Sequence, residues 1–515
     1  MIKNVLAPKE ALVSDIYSVF IKEEEIWMPV SVYMALTPDG STNYVPLPLD
    51  ILKEFNGFDH GTIALKTYFA GFDFSSEVQV KIVYNKEVSF FTFKPLNTDI
   101  DFKVNGNEVT FSITSPKKIT IEPNGDMFGA LTIFADNIEA EEKRENMIYF
   151  PKGFYTSENC EYISIDEYGN PVLDGIEDNT LIYIDRGAVV NASITLSGVK
   201  GVKVAGKGIL TLLERCYGAD VGFKGKTLYG SFREFARPMV YIKSGCEDIE
   251  IDGVTMLSEC RLISIRNCSD IKINNVKMFS HAVNGDGVNC VNTSGVKITD
   301  CFFHTSDDCV CMYTSYDSIA ALNDIGYEVK SSVSENYEVS GCILWTIARP
   351  FQFSGHGTKE TNPRNRVGNV YVHDCIINDV AQDIYGNTRE HREYWSGIMR
   401  VLSQSEVFVH DIKFENIFVS WTCGFGGKLI HLEIRNNENA SYSEGQGYRI
   451  ENVFFKNIEV VNAPEKMMPF FLKAPDMSGD YGISGITFDN IKINDKPISE
   501  NNMLIVGNVS DVKII

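Results

Sequence analysis

Short apolar strands separated by small or polar turns recur every twenty-odd residues through the later two-thirds of this chain, and that period restricts the fold more than any other feature. The unit reads Asp248-Ile249-Glu250-Ile251-Asp252-Gly253-Val254, then Asp270-Ile271-Lys272-Ile273-Asn274-Asn275-Val276, then Gly295-Val296-Lys297-Ile298-Thr299-Asp300-Cys301. Ile251 to Ile273 is a step of 22 residues and Ile273 to Ile298 one of 25. Further copies include Asn369-Val370-Tyr371-Val372-His373-Asp374-Cys375 and Glu406-Val407-Phe408-Val409-His410-Asp411-Ile412. A period of this length, with strand alternation and no helical spacing, predicts a β-solenoid. Leucine-rich repeats are excluded because their Leu-x-x-Leu-x-Leu frame is missing, and a propeller would want a period of about 40 with Trp-Asp signals. Larger steps, such as Ile298 to Val339, require loops inserted into a coil. These are expected around 312–336, 378–403 and 421–446, where they would wall a cleft on one face.

The 515 residues are too many for one ordinary core. Residues 1 to about 138 read instead as antiparallel β, with alternation in Val78-Gln79-Val80-Lys81-Ile82-Val83-Tyr84 and turns such as Asn105-Gly106-Asn107. The charged run Glu139-Ala140-Glu141-Glu142-Lys143-Arg144-Glu145 sets a boundary near residue 145. The chain is therefore expected to be all-β, with an N-terminal β-sandwich domain over 1–145 and a parallel β-helix over 146–515.

Within the repeats, Asn284-Gly285-Asp286-Gly287 is followed one unit later by Ser306-Asp307-Asp308-Cys309. Neighbouring strands lie about 4.8 Å apart, so coiling would stack Asp286 beneath Asp307 and Asp308. Any one of these aspartates could serve only a turn. Three on consecutive coils are different, because like charges this close oppose folding unless they are used. Crowding keeps one carboxyl protonated as a general acid while the others hold a water, which is the chemistry of glycosidic hydrolysis. Asp307 is the expected acid, with Asp286 and Asp308 positioning water. His356, in Ser354-Gly355-His356-Gly357, is a candidate substrate contact because flanking glycines suggest close approach of a ligand. Tyr394 and Trp395, in a charged loop, are candidates for stacking on sugar rings, whereas Trp345 sits in the repeat and is expected in the core. Arg349, Arg364 and Arg366 either pair with the carboxylates or face solvent.

Lys plus Arg number 47 against 69 Asp plus Glu, a net charge of −22. Such a surface repels nucleic acid and anionic membranes, so neither is an expected partner. It also disfavours a polyanionic substrate unless a local basic pocket overrides the net field. No apolar run approaches the roughly 20 residues of a membrane helix. The 12 cysteines all lie from Cys160 onward and form no paired Cys-x-x-Cys set. Cys301, Cys342 and Cys375 recur at one place in successive repeats, as interior thiols behaving as small hydrophobes. No metal and no cofactor is expected. Free thiols and an N-terminus without a secretory h-region lead to the expectation of a cytoplasmic protein.

Asn284-Gly285-Asp286-Gly287 together with Phe302-Phe303-His304-Thr305-Ser306-Asp307-Asp308 resembles the clan of β-helical glycoside hydrolases, which holds the polygalacturonases (family 28) and the dextranases and isopullulanases (family 49). The arrangement is more similar to family 49, which has an N-terminal β-sandwich before a right-handed parallel β-helix. The resemblance implies that Asp307 is the acid and that Asp286 and Asp308 activate water. Gly355-His356-Gly357 resembles the polygalacturonase motif instead. Those enzymes also hold uronate with an Arg-Ile-Lys, and here Met399-Arg400-Val401-Leu402 offers Arg400, a candidate substrate contact, without the lysine. The implied activity is inverting hydrolysis of an α-linked glucan or related oligosaccharide or polysaccharide. Alternatives are a polygalacturonase-like hydrolase of uronate-containing glycans, a β-helical lyase or epimerase, which would want a basic proton abstractor and often calcium, and a non-catalytic glycan-binding solenoid. Sugar identity, linkage, endo or exo action and oligomeric state stay open.

Overall fold

The computed structural model describes residues 2–11, 13–36, 66–127, 129–139, 142–166, 169–212, 238–258, 261–280, 285–315, 332–346, 348–356, 365–380, 397–404, 407–420, 427–437, 445–446, 448–464, 467–476 and 481–515. Among these, a 3-10 turn at Glu500–Asn502 is the one helical element, and the rest of the regular structure is strand. Residues up to Asn137 form two sheets. One runs Ile2–Lys3, Lys66–Phe74, Leu131–Asn137, Lys117–Pro123, Phe91–Lys94, and the other Ile26–Val30, Tyr17–Glu23, Val78–Tyr84, Glu108–Ile113, Lys103–Asn105. Alternation does its work here: Val78, Val80 and Ile82 are fully buried between the sheets while Gln79 faces solvent. This is a sandwich with its own apolar core.

From Met147 the chain winds as a right-handed parallel β-helix. In a typical coil Glu247–Asp252 and Thr255–Ser258 join a 21-stranded sheet, and Ile263–Arg266 joins a 12-stranded one. The repeat residues are the stacked interior. Ile251, Ile273, Ile298, Val339 and Val372 pair in register from coil to coil, all fully buried. Each such side chain contributes about 1.5–3 kcal/mol by leaving water. Cys301, Cys342 and Cys375 are buried in the same core, as expected of interior thiols. The polar residue that ends each apolar pair makes the corner. Asn275, Asp300, Asp374, Asn416, Asn457 and Asn490 all take a left-handed backbone, with φ between 52° and 55°, a conformation Asn and Asp tolerate better than other side chains. Their side chains stack as well: Asn490 donates to Asn457 at 2.8 Å, Asn457 to Asn416 at 3.0 Å and Asn416 to Asp374 at 2.8 Å.

The expected loops were drawn too wide. Strands Met399–Ser403 and Lys428–Ile434 lie inside the stretches 378–403 and 421–446, and Val310–Ser315 runs into 312–336. These strands belong to the 12-stranded sheet.

The sandwich packs on the larger helix sheet through Phe69, Phe134, Phe279 and Phe302. Buried ion pairs flank this cluster. Asp73 takes Arg186 at 2.7 Å and Lys207 at 3.1 Å, Asp136 takes Arg186 and Lys277 at 3.2 Å, and Lys94 reaches Asp379 at 3.1 Å.

Candidate active site

The three aspartates sit in the turns that lead into strands of the 12-stranded sheet. Ile263, Val288, Val310 and Phe351 pair in register on four consecutive coils. Two positions before them stand Arg261, Asp286, Asp308 and Arg349. Backbone bonds keep that register through the turns: Leu262 N–H to Asp286 O at 2.8 Å, Gly287 N–H to Asp308 O at 2.9 Å, and Cys309 N–H to Arg349 O at 2.9 Å. The result is a ladder of side chains one coil apart, cation, anion, anion, cation. Asp286 is thus aligned with Asp308, and Asp307 stands one residue to the side. Gly287 is required because a Cβ there would lie 2.5 Å from both the Cys309 carbonyl and the Phe303 ring.

Donors are distributed unevenly over the carboxylates. Asp286 Oδ2 accepts from Arg261 Nε at 3.1 Å and Asn289 Nδ2 at 2.8 Å. Asp308 accepts on both oxygens, from Arg349 Nε at 2.5 Å and from the Tyr313 hydroxyl at 3.2 Å. Asp307 Oδ1 accepts the Asp308 N–H at 2.9 Å, with Arg349 Nη2 at 3.5 Å, and its Oδ2 takes no donor among the described residues. The Asp307 carbonyl is held by the Thr305 and Thr346 hydroxyls at 2.7 and 2.6 Å. Burial, with Asp286 nearby, pushes the Asp307 carboxyl above the usual range. Burial also raises Asp308, against the pull of Arg349. The pair titrates as a unit whose proton is held to higher pH than an ordinary carboxyl would hold it.

Cys311 completes a group that spacing alone did not show. It follows Asn289 on the next coil, and its thiol lies within 4.8 Å of Asp286 and Asp308 oxygens, a separation that would suit a metal ligand set. The same carboxylates are already paired with Arg261 and Arg349. Burial pushes the thiol well up, with Asp286 and Asp308 adding to it.

The column Asn289, Cys311, Gln352, Arg400, His431 pairs in register beside the triad. Arg400 lies on the 12-stranded sheet in this column and is only 1% exposed. Leu402 stands where an Arg-Ile-Lys would have its lysine, so the strand itself offers none. Lys428 lies one coil on, in the ladder position of Arg349 and Gly397, because Ile430 pairs Met399 and Met399 pairs Phe351. Arg435 is buried nearby, and Glu433, bonded by Arg435 at 2.7 Å and His431 at 2.9 Å, is the carboxylate among them. Burial holds the His431 imidazole down to about 3, so it stays neutral.

Of the remaining candidates, His356 ends strand Phe351–His356, its backbone paired with Ser315. The glycine before it has a reason other than a ligand: a Cβ on Gly355 would stand 2.1 Å from the Val407 side chain. Tyr394 and Trp395 lie outside the described residues, as do Asn284 and Arg364. Trp345 is in the core as expected, edge-on to His304 with ring centres 3.9 Å apart. Arg366 pairs with Glu335 at 2.8 Å, away from the triad. Arg261 was not singled out from sequence. The one signal for it was its place in phase with Asp286, 25 residues on.

The model of glycosyl hydrolases family 28 matches residues 175–326, the stretch that contains all three aspartates. No curated protein matches the chain significantly. Among solved structures, Dex49A from Penicillium minioluteum is 13% identical over 100% of this chain and 96% of its own, with a TM-score of 0.59. The exopolygalacturonase of Thermotoga maritima is 14% identical over 72% of this chain and 83% of its own, with a TM-score of 0.43. The chain is a glycoside hydrolase of the β-helical type, and its family 28 pattern lies on the coils that carry the three carboxylates.

Proposed function

We propose that the protein is an inverting glycoside hydrolase of α-linked glycans, glucan or related oligosaccharides, with Asp307 as general acid and Asp286 and Asp308 holding the attacking water. One observation carries this assignment. Charged donors engage Asp286 and Asp308 at close range, while Asp307 Oδ2 meets none among the described residues and is open to carry a proton. In the reaction Asp307 gives that proton to the glycosidic oxygen as the bond to the anomeric carbon breaks. Water adds to that carbon from the other side and loses its proton to Asp286 or Asp308. One water is consumed, and transfer of the proton back to Asp307 restores the site.

A second reading, hydrolysis of a uronate-containing glycan, is favoured by the cations beside the triad. Arg400, Lys428 and Arg435 are buried there, with Glu433 the carboxylate bonded to Arg435, in a chain of net charge −22. This is a local group of cations able to offset the net field. Hydrolysis of dextran, pullulan, isomalto-oligosaccharides and polygalacturonate, each measured with wild type and Arg400→Met, separates the two. If the sugar is anionic, the substitution should lower kcat/KM on the order of 30-fold or more, as for truncating a buried charge pair. A neutral glucan should lose far less. An unsaturated product absorbing in the ultraviolet would reject both in favour of a lyase.

A further inference from the structure

We infer that Arg349 is the positioning residue that decides which member of the Asp307–Asp308 pair carries the proton, and hence which of them is the acid. This rests on the hydrolase reading above and adds to it the residue that sets the roles. Arg349 closes the ladder begun by Arg261, one coil beyond the pair. Its guanidinium contacts the two carboxylates unequally, with Nε 2.5 Å from Asp308 Oδ1 and Nη2 3.5 Å from Asp307 Oδ1. Two neighbouring carboxyls of the same residue type otherwise have little to distinguish them, and a cation in direct contact with one makes that one the stable anion.

The geometry is held from several sides. Pro350 follows Arg349 and confines it to extended backbone, its carbonyl is bonded by the Cys309 N–H, and the residue is 8% exposed. Burial works against its charge, but Asp308 and then Asp307 hold the guanidinium protonated. Among the described residues Arg349 is the cation paired with these two carboxylates. Arg261 is directed at Asp286. Tyr313 is kept neutral by burial and donates to Asp308, adding to the same bias. The Cys309 and Cys311 thiols are pushed up by burial and stay neutral. Arg400 is opposed by burial and then by Arg435 and Arg349. Asp286 raises both members of the pair.

The test is titration of the full chain labelled with carbon-13 at the aspartate carboxyls, with Asp307→Asn and Asp308→Asn used to assign the resonances. In wild type the Asp307 carboxyl should hold its proton to higher pH than Asp308. In Arg349→Met the separation should collapse and both should titrate higher. The pH profile of kcat should then move alkaline by about one pH unit or more, with kcat lowered on the order of tenfold or more and KM little changed. Arg349→Lys should return the profile most of the way. Asp308 holding the higher-titrating proton in wild type would overturn the inference whether or not any variant folds. So would a folded Arg349→Met with an unmoved profile. The carboxyl titration needs no substrate. A protein that hydrolysed nothing would therefore sink the hydrolase reading and leave the role of Arg349 decided separately.

Discussion

Asp307→Asn should lose about 10²–10⁴ of wild-type turnover and fold as the parent does. The fold should survive because the main restraints on residue 307 are on its carbonyl, held by Thr305 and Thr346. An amide oxygen can accept the Asp308 N–H as Oδ1 does. The substitution also removes a carboxyl from a crowded buried group, so stability should be equal or slightly higher. What is lost is the proton. Turnover on an unactivated glycan, compared beside a melting curve, reads both, and a folded variant with near-wild-type turnover would reject Asp307 as the acid. Asp308→Asn is a different experiment. It would strip Arg349 of its closest anion, and its losses would mix chemistry with folding.

Asp136→Ala should cost about 3–5 kcal/mol of stability. Asp136 lies at the sandwich–helix interface, 6% exposed, with Lys277 Nζ 3.2 Å from both its oxygens, Arg186 Nη2 at 3.2 Å and Asn275 Nδ2 at 3.1 Å. Burial opposes its charge, but Lys277 and Arg186 outweigh that and hold the carboxyl well below the usual range. Removing it leaves Lys277 buried with Arg186 beside it and no carboxylate between them. Because the folded carboxyl is depressed, its contribution is full above about pH 4, the ordinary aspartate value. It is lost as pH falls through the folded value. Denaturant midpoints at neutral pH should therefore differ strongly between variant and parent and converge in acid. A neutral-pH difference below about 1 kcal/mol, the scale of an exposed pair, would mean that this network does not hold the sandwich on the helix.

Much of this architecture could be read before any coordinates. A parallel helix stacks like on like, so Ile251, Ile273 and Ile298 had to repeat, and Asn275 and Asp300 had to follow them at the corner. The triad was legible for the same reason, since Asp286 and Asp308 are one coil of 22 residues apart. The arginines that complete it were harder. Arg349 stands 41 residues from Asp308, and the insertion between them destroys the phase that would have aligned the two. Lys428 was harder still, because it lies on the coil after Arg400 and is remote from it in sequence. Gly355 makes room for the Val407 side chain, which glycine spacing alone does not reveal.

The central claim is that Asp286 and Asp308 hold a water while Asp307 protonates the leaving oxygen. Asp286 and Asp308 offer oxygens within 4.8 Å of one another, suited to orienting one water between them. An inverting pair leaves room for that water with acid and base roughly 6.5–9.5 Å apart, whereas a retaining pair needs about 5–5.5 Å. Proton nuclear magnetic resonance of the first minutes of hydrolysis of an α-linked substrate, before mutarotation, tests this most directly. The β-anomer should appear first and the α-anomer only as mutarotation proceeds. An initial α-anomer would mean a covalent intermediate, and the water-holding role of Asp286 and Asp308 would be contradicted.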